Sequence, residues 1–190
     1  LERAGFLEPV RGIGTLVNHD VVQMENRLDQ KVEFYHMIRD AGRQPHSDHV
    51  MVTRETASPA LAQRLGLPEG EEHTLVFVRR RVLADDLPVL YSTDVLPLAL
   101  FGGQRLDALD FTQPIFSIVE EFCHVKVTKT LAHMRAVTGS PTIRRQLALR
   151  PEQALMQLDE TCYSRLCRPV LCCRTCYTDF FDFAIVRKLI

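Results

Sequence analysis

The sequence predicts an α+β fold: an antiparallel sheet flanked by helices, with an internal pseudo-two-fold repeat. Two observations carry this. The stretch from Ser58 to Pro97 reads as one unit of short helix, strand, tight turn and returning strand. The unit then recurs. Ser140-Pro141 repeats Ser58-Pro59, Leu147 repeats Leu65 and Leu149 repeats Leu67, each 82 positions on, while Pro169-Val170-Leu171 repeats Pro88-Val89-Leu90 81 positions on. Self-similarity at a fixed offset is the mark of a repeated architecture. Two hairpins of this kind pair most simply into one antiparallel sheet.

Each element has a local cause. Ser58 can accept from the first free backbone N–H groups, and Pro59 at the first helical position loses nothing by lacking one. Leu61, Ala62 and Leu65 follow at helical spacing, and Gly66 ends the helix. Leu75 to Leu83 is a strand, Ala84-Asp85-Asp86 is turn chemistry, and Pro88 to Leu96 returns. Upstream, Val32, Tyr35, Ile38 and Ala41 share one face of a helix predicted over 27–41, stopped by Gly42. The loop 43–48 (Arg43-Gln44-Pro45-His46-Ser47-Asp48) then leads to a strand at Val50–Glu55. Leu98 to Gly103 is a helical turn. Pro114 opens a helix over 114–123 whose Ile115, Ile118, Val119 and Phe122 form a core stripe. A strand over 125–137, a helix over 141–149, a hairpin over 154–178 and a last strand carrying Phe181, Phe183 and Ile185 complete the chain.

The first residues read differently. Leu1 to Leu7 suggests the last turn of a helix with Gly5 as its stop, and Glu8 to Val17 a β-hairpin with Arg11-Gly12-Ile13-Gly14-Thr15 at its tip. Such a hairpin does not stand alone.

The 190 residues, 46% hydrophobic and 25% charged, are enough for one well-filled core. The net charge of −1 argues against a chain that grips phosphate backbone by itself. No apolar run approaches a bilayer span, no signal-peptide pattern opens the sequence, and six cysteines with a vicinal pair, Cys172-Cys173, fit a reducing cytoplasm. Cys173 and Cys176 have metal-like spacing, but on a strand residues three apart face opposite sides, so packed, reduced thiols are expected. His46 and His49 form the tightest histidine pair, and no metal or cofactor is expected. The sequence holds no nucleophile elbow, phosphate loop or zinc-protease helix.

Two stretches could bind a ligand. A loop after a helix stop, such as 43–48, can aim backbone N–H groups at an anion or be a plain connector. Arg79, Arg80 and Arg81 lie on an otherwise apolar strand, with Arg79 and Arg81 on one face and Arg80 on the other. One face must be wet, paired or turned to an anion, because an unpaired buried guanidinium is costly.

Several motifs resemble those of GntR-superfamily bacterial transcriptional regulators. Leu1-x-x-x-Gly5 followed by Arg11-Gly12-x-Gly14-Thr15-x-Val17 resembles the wing of their winged helix-turn-helix. Ile38-x-x-Ala41-Gly42-x-x-Pro45, Ala62-x-x-Leu65-Gly66-Leu67, Arg80-x-Val82-Leu83-Ala84-Asp85-x-x-Pro88, Leu96-Pro97 and Tyr177-x-Asp179-x-Phe181-x-Phe183 follow the order of the HutC-subfamily effector domain. That domain, called UTRA, has a fold similar to chorismate lyase with internal two-fold pseudo-symmetry.

The resemblance implies a wing remnant at 1–18 with Arg11, Gly12, Gly14 and Thr15 as DNA-contacting positions, a linker at 19–27, and an effector-binding and dimerisation domain at 28–190. It implies an effector held by backbone amides near His46, Ser47 and Asp48 and by an Arg-x-Arg pair. The first Arg of that pair falls on Arg80 and the second on Val82; a hairpin one residue longer would put Arg79 and Arg81 there instead. Other pocket positions depart from the family: a frequent Glu falls on Ser92, with Asp94 on the same face, a Ser-Leu-Tyr becomes Pro114-Ile115-Phe116, and a late Glu becomes Leu171. Tyr177 is kept, and His133 lines the pocket by analogy.

With so few partners for sugar hydroxyls, the expected effector is a small anionic metabolite, an organic acid rather than a phosphosugar. The expected protein is a cytoplasmic homodimer, not an enzyme, reaching operator DNA through the full-length chain and not through this fragment alone. The alternative is a chorismate-lyase-like enzyme acting on a small aromatic carboxylate.

Overall fold

The computed structural model describes residues 7–17 and 26–187. The expected helical turn at Leu1–Leu7 and most of the linker lie outside them. A two-stranded hairpin, β1 (Leu7–Val10) and β2 (Gly14–Val17), stands apart from the main sheet, as its sequence predicts. Gly12 and Gly14 supply the positive φ angles, 84° and 111°, that the tip requires.

The six-stranded sheet is built from β3 (Pro45–Thr56), β4 (Thr74–Ala84), β5 (Leu87–Pro97), β6 (Val127–Val137), β7 (Leu155–Ser164) and β8 (Pro169–Tyr177). Its order is β3-β4-β5-β8-β7-β6, antiparallel throughout. This order is its own mirror about the β5–β8 junction, as the repeat predicts. Thr93 faces Arg174 at the centre of that junction, and the two are 81 residues apart, so the pseudo-two-fold axis runs between them. Even the irregularities match: the register slips at Val89 in one hairpin and at Val170 in the other.

Helices α1 (Phe34–Asp40) and α3 (Ile115–Cys123) cover one face of the sheet, and α2 (Pro59–Arg64) and α4 (Pro141–Gln146) the other. Short 3-10 turns at Leu98–Phe101 and Leu106–Ala108 join β5 to α3. The α2 and α4 caps are twins: Ser58 Oγ accepts from the Leu61 N–H and Ser140 Oγ from the Ile143 N–H. Among the described residues no helix is long and apolar enough to cross a membrane.

One position breaks the match. After α2 the chain turns through Gly66 at φ 60°; after α4 the same turn falls on Ala148 at φ 48°. A left-handed conformation costs an L-residue roughly 1–2 kcal/mol. Ala148→Gly is therefore expected to stabilise the fold by about 1 kcal/mol. Gly66→Ala should destabilise it, since the added Cβ also meets Pro169 at 3.3 Å. Urea denaturation midpoints check both signs, and a stabilising Gly66→Ala would contradict the account.

Three expectations are corrected. The helix predicted over 27–41 occupies only 34–40, because Leu28 N–H is drawn to the Ala184 carbonyl (2.9 Å) and the chain turns before the helix begins. The predicted loop 43–48 is largely strand: Pro45–Asp48 pair with Arg81–Ala84 at the edge of the sheet, and the irregularity is displaced to His49 (φ 48°). Phe181, Phe183 and Ile185 do not form a strand. Phe181 and Phe183 both pack edge-on to Tyr177, with ring centroids 5.2 and 5.0 Å away, and among the described residues the sheet-like pairing there is a single bridge at Ala184.

Candidate functional site

The sheet face under α1 and α3 carries two apolar clusters with a polar belt between them. One cluster joins α3 to Val76, Val78, Leu96 and Leu171; the other joins α1 to Val82, Leu90, Leu158 and Tyr177. Strand alternation puts Arg80 between the two halves of β4's apolar row. Arg80 is fully buried. It donates to Asp94 (2.9 Å), to Ser92 Oγ (3.3 Å) and to the carbonyls of Phe111 (3.1 Å) and Gln113. The guanidinium thus ties the loop before α3 to the centre of the sheet. Phe34 covers it, 5.7 Å from ring centroid to guanidinium.

A second ion pair lies in the other half. Glu160 is 2% exposed and receives Lys31 Nζ at 2.6 Å. Arg80 pairs with Ser92 across β4–β5, and Glu160 with Cys173 across β7–β8. Ser92 and Cys173 are repeat partners, so Arg80 and Glu160 are too, with opposite charges at one pseudo-symmetric place. The repeat offset falls from 81 to 80 on this strand because the second hairpin holds one more residue between its paired positions, Glu160 to Cys173, than the first does between Arg80 and Ser92.

Burial opposes the charge on Lys31, but Tyr177, Glu160 and Cys173 outweigh it and hold the ammonium's pKa above its ordinary value. Burial likewise pushes the Glu33 carboxyl up, against the pull of Lys31 and Arg80, and the Tyr177 phenol up to about 12. Tyr35 donates to the Thr112 carbonyl (2.6 Å) and meets Ser47 Oγ, which closes the belt at the β3 end.

Beside Lys31 and Glu160 the belt opens into a cavity of about 480 Å³, within the range of small-molecule sites. The segment 26–32 roofs it. Ala132 and Met134 of β6, Leu158 of β7, Met37, Tyr177 and Phe183 give it apolar walls. The Lys31 ammonium also stands 5.7 Å from the Phe116 ring.

The residues singled out from the sequence divide between the two faces. Arg80, Ser92 and Asp94 form one bonded group, and Tyr177 and Phe116 flank the Lys31 end. Ser47 reaches the belt through Tyr35, whereas Leu171 is fully buried in the α3 cluster. Arg79, Arg81, Asp48 and His133 lie on the opposite face. Arg81 is bound to Asp48, Arg79 to Glu55 (3.0 Å), and His133 sits opposite Asp159. His46, opposite Leu83, is on that face as well. Arg80 is thus not paired with a second arginine, and its charge is already met by Asp94.

Lys31, Glu33, Tyr35 and Glu160 were not among the residues predicted for the site. The repeat could have pointed to Glu160, had the extra residue of the second hairpin been allowed for. Lys31 had no signal, because it sat inside a helix that does not form. The six cysteines are unbridged, and Cys172 and Cys173 face opposite sides of the sheet. At the chain's other end Ile13, Leu16 and Val17 of the hairpin are 48–73% exposed around Arg11, an apolar surface with no cover among the described residues.

The profile of the UTRA domain matches residues 40–179. Among curated proteins no sequence matches this chain. Among solved structures, PhnF from Mycobacterium smegmatis superposes with a TM-score of 0.76 at 18% identity, over 99% of this chain and 80% of that one. The ligand-binding domain of a Bordetella bronchiseptica protein described as a GntR-family transcriptional regulator gives 0.64 at 27% identity, over 72% and 85%. YydK from Bacillus subtilis gives 0.68 at 14% identity, over 100% and 78%. The fold and these likenesses agree, and the chain belongs to the UTRA domain family of GntR-type transcriptional regulators.

Proposed function

We propose that this chain is the sensing and dimerisation part of a HutC-type regulator, and that a small organic acid entering the 480 Å³ cavity alters how the full-length dimer binds its operator. The observation that carries the reading is the Lys31–Glu160 pair on the edge of that cavity. Lys31, with Arg27 and Lys129, puts positive charge on the cavity wall, while Arg80 is occupied inside the fold. A carboxylate can share Lys31 with Glu160, and an apolar body fits Met37, Leu158 and Phe183. The apolar side favours an acid with a hydrophobic body over a phosphosugar, whose hydroxyls would all have to crowd onto the cavity's polar edge at Asn26, Thr128 and Thr130.

Segment 26–32 roofs the cavity and follows directly from the stretch that leads back to the hairpin, so a ligand that favours one placement of this segment would shift the balance between two arrangements of the dimer. The exposed apolar hairpin, with Arg11, Gly12, Gly14 and Thr15 at its tip, supports a wing that rests on the remainder of a DNA-binding domain in the full-length protein.

A thermal-shift series of aliphatic and aromatic carboxylates, with phosphosugars alongside, tests the reading. At a hundredfold excess over Kd an acid should stabilise the fold by about 2.7 kcal/mol. Ala132→Trp, which fills the cavity from the exposed strand β6, should abolish the shift. A response to phosphosugars alone, or an acid response that survives Ala132→Trp, would sink it.

A further inference from the structure

The polar row on the opposite face of the sheet has no role in the belt. Cross-strand pairing sets Met51, Arg79, Thr93, Arg174, Asp159 and His133 side by side, straight across all six strands. The pseudo-two-fold axis passes through its middle. Helices α2 and α4 pack their apolar residues to either side of this row, so its centre is left as a cavity of about 340 Å³. Arg64 of α2 reaches over from the side, and Arg64, Arg79 and Arg174 share this cavity with Asp159.

The charges there do not balance. Asp159 is 9% exposed along its side chain and serves two of the arginines: it accepts from Arg174 Nε (3.2 Å to each oxygen) and from Arg64 Nη1 (3.3 Å). Arg64 Nε goes to Thr161 Oγ1 (2.7 Å). Arg79 is drawn to Thr53 and Glu55 at the cavity's outer side. Among the described residues this leaves Arg64 Nη2 and both terminal nitrogens of Arg174 with no protein acceptor, beside the Thr93 hydroxyl. The two free terminal nitrogens of Arg174, on a guanidinium oriented by a buried carboxylate, are suited to bind a further anion bidentately, with Arg64 Nη2 as a third donor beside them.

We infer that this cavity is a second ligand site, distinct from the acid-sensing one, for a compact dianion of the phosphate, phosphomonoester or dicarboxylate kind, bound by Arg64 and Arg174 with Thr93 beneath it. The site does not depend on the effector reading, because it lies on the other face. It is one sheet thickness from the Arg80–Asp94 pair, whose strand neighbours Arg79 and Thr93 belong to it. An anion bound here would press on the same two central strands that the belt organises.

Isothermal titration of the 190-residue chain with inorganic phosphate, glycerol phosphate and succinate, at low salt, tests the inference. At least one should bind with one-to-one stoichiometry, and the one that binds most tightly names the source of the dianion. Arg174→Gln, at an exposed residue, and Arg64→Gln should each weaken binding about tenfold or more, the scale of a charged hydrogen bond. Asp159→Asn should tighten it, since a competing carboxylate is removed. Arg165→Gln, in the exposed β7–β8 turn, removes the same charge elsewhere and should change nothing. No saturable binding of any of the three, or binding that Arg174→Gln and Arg64→Gln leave intact, would overturn the inference. So would phosphate binding that Ala132→Trp abolishes, because the anion would then occupy the other cavity.

Discussion

Arg80→Met is expected to cost this fold about 3–5 kcal/mol, the scale of breaking a buried ion pair by removing one partner. The loss does not come from the methylene stem, which Met replaces. It comes from Asp94, 2% exposed, whose buried carboxyl loses its partner. The carbonyls of Phe111 and Gln113 lose a donor at the same time, so the loop that starts α3 loosens with the sheet. The double variant Arg80→Met, Asp94→Leu should recover most of the loss, since a buried pair replaced whole by apolar groups is often near neutral. Denaturant unfolding of the three variants decides it. If Arg80→Met alone is within 1 kcal/mol of the parent, on the order of an ordinary surface change, the belt does not hold the two clusters together.

Lys31→Met is expected to have the next largest effect, with a different signature. Glu160 becomes the uncompensated buried charge, and a loss of roughly 2–4 kcal/mol follows from the same principle, reduced because the Lys31 side chain is 27% exposed. Its pH dependence has a definite sign. The folded-state pKa of Lys31 lies above its ordinary value, so its contribution is fully present below that ordinary value and fades as pH rises through the folded one. The difference between parent and Lys31→Met should therefore be constant across neutral pH and narrow only in strong alkali. Adding Glu160→Gln to Lys31→Met should restore stability. A parent-variant gap that closes between pH 6 and 8 would contradict the assignment of the partner.

Much of the fold was legible because its causes are local. Ser58-Pro59 and Ser140-Pro141 specify helix starts, Asp85 and its neighbours specify a turn, and the recurrence of both specifies the mirrored sheet. What sequence could not supply was the competition for backbone partners. Residues 27–33 have helical spacing, yet Ala184, some 150 residues away, takes the Leu28 N–H. Pro45 to Asp48 look like a loop until β4 offers them a ladder.

The site was legible to the level of faces. Alternation separates Arg80 from Arg79 and Arg81, and the structure keeps that separation. It could not reveal that Asp94 would answer Arg80, because that depends on the β4–β5 register, itself set by the slip at Val89. Glu160 was hidden by one extra residue in a hairpin.

The mirrored sheet has a consequence for how the chain assembles. Within each half a tight hairpin, β4–β5 or β7–β8, is joined by a connection of a few residues, and its first pairs, such as Ala84 with Leu87, close almost no loop, while the outer strand pairs across a 17-residue connection that holds a helix. The β5–β8 junction joins residues 77 to 87 positions apart, from Val95–Cys172 to Leu90–Tyr177. Closing a loop of that length costs roughly 2–3 kcal/mol more entropy than closing a hairpin. The two halves are thus local structures that form early on loop-closure grounds, and the central seam, where Thr93 meets Arg174, is the slow, non-local step. The same seam that carries the symmetry axis is the place where the chain commits to its fold.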